Sequence, residues 1–150
     1  MLDRAALASF WEKAQHETGW TAPFGKAVDG LTAAQAAWKP APERHSIWQI
    51  VNHLSFWRED VVRGNEAKGP ASDELIEREN WRAPASTGAP TEGEWRAAQD
   101  RFRASHEAIV RSLRETEWDP TSALHVISHD FYHVGQIMLL RAMQGLKPIE

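Results

Sequence analysis

The 150-residue chain contains no cysteine. Disulfides, thiolate metal sites and cysteine nucleophiles are therefore excluded, and a reducing compartment is the natural setting. Any metal would have to be held through nitrogen and oxygen. The chain also lacks a basic run: 17 Lys and Arg are scattered among 21 Asp and Glu, for a net charge of -4 with histidines neutral. Sequence-independent nucleic-acid binding needs clustered cations facing phosphates, so no nucleic-acid partner is expected. No window approaches the roughly 18 apolar residues of a membrane span. The start, "MLDRAALASFWEKAQ", has no basic segment followed by an apolar stretch, as a signal peptide would. The expectation is a soluble, cytoplasmic protein with no membrane partner.

Strand-like alternation is missing as well, and the apolar residues recur at helical spacing instead. The length suits a single domain over residues 1–150, large enough to bury most of its apolar surface without staples. A first helix is predicted from about Leu2 to Thr18, with Ala6, Phe10 and Ala14 on one stripe. A connector containing Pro23, Gly25 and Gly30 follows, then a short helix in "LTAAQAAW". The second long helix opens at Ser46, whose hydroxyl with Gln49 three residues on makes a capping box. Ile47, Ile50, Val51, Leu54, Trp57 and Val61 form its buried face, and Gly64 or Gly69 marks its end. Residues 69–90 form a long connection with one helical turn in "SDELIEREN". A third helix starts near Thr91, carries the seam Trp95, Gln99, Phe102, His106, Ile109 and Leu113, and ends near Glu117. Asp119 and Pro120 read as N-cap and first position of a fourth helix, which Gly145 stops after Gln144. Four long helices and no strands imply an all-α four-helix bundle, with the long middle connection as its crossover.

The fourth helix holds "SHDFYHVGQI". Residues four apart on a helix differ by about 40° around the axis, so His129 and His133 point the same way. Their nitrogens can converge on one ion at about 2.0–2.1 Å. The alternative is a polar helix edge facing solvent. Burying two unpartnered imidazoles would cost roughly 2–7 kcal/mol each in an apolar reference, and a shared cation removes that cost. His53, mid-helix in "QIVNHLSFW" and flanking the buried seam, favours the metal: facing helices of a bundle deliver side chains to one interior point. Three imidazoles leave one coordination position vacant, as Lewis-acid and hydrolytic sites require. His125 extends the stripe one turn back, as an extra ligand or a pocket-lining residue, and Gln136 extends it one turn forward. His106 is read as a core histidine rather than a support for the ligands. His45 is read as bonding locally in a turn, and His16 as a surface residue. Tyr132, Gln136 and Trp57 are candidate pocket groups. Trp48, Phe56 and Trp81 could share an aromatic wall with Trp57, or serve only as core packing. The zinc-protease motif has a glutamate directly after its first histidine. Here Asp130 holds that place, one methylene shorter, to orient a ligand or face water, and the protease reading is rejected.

These stretches resemble the DinB-like (damage-inducible) superfamily of metal-binding four-helix proteins. The resemblance rests on "GLTAAQAAWKPAPERHSIWQIVNHLSFW", more strongly on "HVISHDFYHVGQIMLLR", and more faintly on "EWRAAQDRFRASHEAIV". It implies an up-up-down-down bundle and a divalent ion, nickel or zinc, on residues matching His53, His129 and His133. It also implies a homodimer through helix faces. Characterised relatives include metal-dependent transferases that add a low-molecular-weight thiol such as bacillithiol or mycothiol to an electrophile, and a thiol-dependent maleylpyruvate isomerase. The expected function is therefore transfer of such a thiol to an electrophilic small-molecule substrate. The alternatives are a metal-dependent hydrolase using bound water and a non-enzymatic, metal-stabilised stress-response module.

Overall fold

A computed structural model describes residues 3–66, 68–115, 117 and 119–149. Among these the chain forms seven helices and no strand: α1 (Arg4–His16), α2 (Phe24–Val28), α3 (Ala33–Ala37), α4 (Ile47–Asn65), α5 (Asp73–Glu79), α6 (Glu92–Glu115) and α7 (Thr121–Met143). The four long helices α1, α4, α6 and α7 pack as a bundle. The start expected at Leu2 lies outside the described residues; Asp3 caps α1 by accepting from the amides of Ala5 and Ala6.

Local chemistry sets most helix ends. Ser46 and Gln49 close the expected capping box on α4. Thr91 accepts from the Glu94 amide while its own N–H donates to the Glu94 carboxylate, which starts α6 in the same way. Asp119 accepts from the Thr121 amide and hydroxyl, so it caps the turn from one residue further out than expected, and α7 begins at Thr121 rather than Pro120. At the other end Gly145 adopts φ 71°; its N–H reaches Ala142 O and that of Leu146 reaches Arg141 O. This is the paired closure that a left-handed residue permits. Gly64 does not end α4, which continues to Asn65; the left-handed position after it is Gly69.

The directions follow from which residues meet. Trp48 packs on Trp95, Arg58 donates to Phe102 O and Glu59 pairs with Arg101, so α4 and α6 run parallel. His53 meets His129, and residues near the end of α4 meet Ser122, so α4 and α7 are antiparallel. Arg4 reaches Glu117 and the α1 end faces Arg103 and Glu107, so α1 opposes α6. The order is up, down, down, up, whereas the family resemblance implied up-up-down-down. The single crossover is the long connection between the parallel α4 and α6, where the sequence had placed it.

The buried face of α1 is Leu7, Ala8, Trp11 and Gln15, offset by about one residue from the expected Ala6, Phe10 and Ala14 stripe. The indole of Trp11 decides this. It is the largest apolar surface on the helix, and inside the core its ring N–H donates to Ala123 O. Trp95 satisfies its N–H on Leu31 O. The connector after α1, expected to hold no helix, contains α2. Five residues cannot hold a helix alone. Its terminal carbonyls are taken up by distant side chains: Gln99 donates to Val28 O, and Arg141 donates to Ala27 O and Asp29 O.

His106 is a core residue, as expected. It is 3% exposed, with its ring against Trp11 and Phe24. Burial, with the Arg58 guanidinium adding to it, pushes its pKa down to about 3. The unfolded chain takes up this proton near pH 6.5 and the folded chain does not. The His106 proton therefore costs no stability above pH 6.5, and stability is lost as pH falls from there toward 3, by at most about 1.4 kcal/mol per pH unit. Urea unfolding of wild type and His106→Phe at pH 7, 6 and 5 should show a shallower acid loss in the variant by about that slope.

Candidate metal centre

His53 on α4 and His129 and His133 on α7 form one cluster, with one nitrogen of each within 4.8 Å of the others. The Nε2 atoms of His53 and His129 are 2.9 Å apart. The ring centroids of His53 lie 4.9 Å from His129 and 4.6 Å from His133, and those of His129 and His133 lie 4.4 Å apart. The i, i+4 spacing on α7 and the antiparallel α4 bring the three together as the sequence indicated.

The outer nitrogens fix the tautomers. Asn80 Oδ1 accepts from Trp57 Nε1 at 3.0 Å and also meets His53 Nδ1. An indole N–H can only donate, so this atom is the amide oxygen and His53 carries its proton on Nδ1. His133 Nδ1 likewise meets Gln136 Oε1 at 2.7 Å, while the Gln136 amide donates to the Tyr132 hydroxyl. His129 Nδ1 faces Asp130 Oδ1 at 3.5 Å, and neither of these two buried atoms has a hydrogen-bond partner among the described residues. A carboxylate opposite the outer nitrogen is the usual partner of a metal-ligating imidazole. With the protons on Nδ1, as Asn80 requires for His53 and as the Gln136 oxygen and the Asp130 carboxylate favour for His133 and His129, three Nε2 lone pairs face the same space. Two lone pairs at 2.9 Å repel unless something positive lies between them. Nitrogens sharing an ion at about 2.0–2.1 Å stand roughly 3 Å apart. The donor set fits a divalent cation.

Electrostatics prepare the ligands. Burial pushes the His53 pKa down to about 4; the Asn80 bond opposes this, and His133 and His129 add to it. Burial also lowers that of His133, against the Gln136 bond. Both rings are neutral at pH 7 and offer lone pairs rather than protons. Asp130 does not face water. It is fully buried, accepting from Arg58 Nε at 2.7 Å, and both side chains are 0% exposed. Arg58 is enclosed by Phe102, Phe24 and Trp11 and donates to Phe102 O. The pair holds a charge beside His129 without leaving it uncompensated.

The segment after α5 was missed by sequence reasoning. Gln49 and Asn52 donate to Trp81 O and Arg82 O, and Asn80 is held by His53 and Trp57. Residues 49, 52, 53 and 57 form a polar stripe at helical spacing on α4, and that stripe is the signal that could have located the segment. Trp81 lies flat on His53, centroids 3.7 Å apart, and His45 lies on the opposite face of Trp81 at 3.8 Å. His45 is thus a stacked aromatic as well as a locally bonded residue, its side chain also engaging Gln49 one turn on. Of the aromatic wall expected, Trp81 and Trp57 border His53, Phe56 touches only Trp57 in that group, and Trp48 sits in the core on Trp95. Tyr132 is exposed and edge-on to His133 at 5.0 Å. His125 is exposed near Asp119 and is not in the cluster.

The family model described as the DinB superfamily matches residues 15–137, which include all three histidines. The chain belongs to the DinB superfamily. No curated protein and no solved structure gives a significant match. The cluster of this DinB protein could hold a metal ion. None of its helices among the described residues is long and apolar enough to cross a membrane.

Asn80→Ala should leave the fold intact but release His53 Nδ1. Loss of such an outer partner lowers metal affinity by about 10–100-fold. Competition with a chromophoric chelator measures this; an affinity equal to wild type would show that Asn80 does not orient His53.

Proposed function

We propose that this chain is a divalent-metal-dependent enzyme, holding nickel or zinc on His53, His129 and His133. Its reaction is transfer of a low-molecular-weight thiol to an electrophilic small molecule. The observation that carries the reading is a cluster of three imidazole nitrogens within 4.8 Å of one another, with the amide oxygens of Asn80 and Gln136 behind His53 and His133 and the Asp130 carboxylate 3.5 Å behind His129. A divalent ion there supplies a vacant position at which a thiol or water loses its proton near neutral pH. The protein's own contribution is orientation. Asn80, Gln136 and the Arg58–Asp130 pair hold the three rings, and Trp81 blocks one face of His53. In the chemical step the thiol proton passes to solvent. The sulfur–carbon bond then forms as an epoxide ring opens, a carbon–halide bond breaks or a conjugated carbonyl takes the negative charge.

The family resemblance supports the thiol as co-substrate. It also supports a homodimer, which sedimentation would measure. The reaction is tested with protein reconstituted with zinc or nickel, a reactive halide or epoxide, and cysteine, bacillithiol or mycothiol in turn. Turnover should require both metal and thiol, and His53→Ala should fall to the uncatalysed rate. Metal-dependent turnover without thiol would make the chain a hydrolase instead. Metal binding without any turnover would make it a non-enzymatic module.

A further inference from the structure

Beside the three histidines a groove of about 490 Å³ runs between the turn before α4 and the second half of α7. Two residues join it to the candidate centre. Gln136, which holds His133 Nδ1, is part of its wall. His45, also in the wall, is separated from His53 only by the Trp81 ring. The groove floor is apolar. Ile50 is buried beneath it, while Leu139 and Met143 remain 62% and 55% exposed. Large apolar side chains that open together along a groove mark a surface that excludes water when something lies on it.

The rim is charged. The Arg44 side chain lines the groove, and its guanidinium makes no hydrogen bond or ion pair with any described residue. Lys39 lies close enough to disfavour the charged form of His45, an effect second to burial. Glu43 on the same wall carries the opposite sign, and Lys39, outside the lining, adds a second cation near His45. A free guanidinium in the wall of an apolar trough next to a candidate reaction centre suits a planar anion.

We propose that this groove is the substrate subsite of the candidate centre, and that it takes a small molecule with an apolar body and a distal carboxylate. The carboxylate pairs with Arg44 and the body lies on Ile50, Leu139 and Met143. The reactive end points past Gln136 toward His133. The last part rests on the metal-enzyme reading; the groove and its preference for an acid do not.

The probe is 4-phenylbutyrate, compared with its uncharged amide. Binding is titrated by NMR on zinc-loaded wild type, Arg44→Gln, Leu139→Gln and His129→Ala, with metal content measured on each. The acid should bind wild type and His129→Ala alike. The amide, Arg44→Gln and Leu139→Gln should each weaken binding, with about tenfold expected for loss of one charge-assisted contact. Metal content should be unchanged in Arg44→Gln and Leu139→Gln. Equal binding of acid and amide, or no binding of either, overturns the proposal even where all proteins carry zinc. Dimerisation abolished by Leu139→Gln without acid binding overturns it too, because the face would then belong to a second copy. If no protein binds metal yet the acid pattern holds, the groove stands and the metal reading falls.

Discussion

Three imidazoles facing one another across a bundle interior are held by what stands behind their outer nitrogens: Asn80 behind His53, Gln136 behind His133 and the Asp130 carboxylate 3.5 Å from His129. That constraint organises the chain well beyond the cluster. Asn80 must sit over α4, so the long connection between α4 and α6 folds back and is tied down at Trp81 and Arg82. Asp130 must sit behind His129, and a fully buried carboxylate needs a cation. Arg58 therefore enters the core, lined by Phe102, Phe24 and Trp11. The same aromatic group encloses His106. The structural core and the candidate centre share walls through one ion pair.

The parallel α4 and α6 pair has a related logic. A parallel neighbour demands a connection that travels the length of the helices. Here that connection is also where Asn80 and Trp81 reside. A tight hairpin between α4 and α6 would leave His53 Nδ1 without its partner and one face of the ring uncovered. The up-down-down-up order is thus tied to the site as much as to packing.

Much of this could be read from residue spacing. The i, i+4 pair His129 and His133, the mid-helix His53, and the capping boxes at Ser46 and Thr91 are local patterns, and the structure places them as the patterns indicate. What could not be read depends on distant partners. The helix α2 is held by Gln99 and Arg141 from two other helices. The face of α1 turned on where one indole found a carbonyl 112 positions away. Asp130 was ambiguous because its meaning lies in Arg58, 72 positions earlier. His45 engages Gln49 locally, but its stacking partner, Trp81, lies 36 positions on. The order of helix directions was carried over from resemblance, and no residue spacing tests it.

The account stands on three Nε2 atoms sharing one cation. X-ray absorption at the metal edge of the zinc- or nickel-reconstituted protein tests this most directly. Three imidazole nitrogens at about 2.0–2.1 Å are predicted, with one lost in each of His53→Ala, His129→Ala and His133→Ala. A protein that retains no stoichiometric metal, or a metal shell of oxygens unchanged by those substitutions, would contradict it.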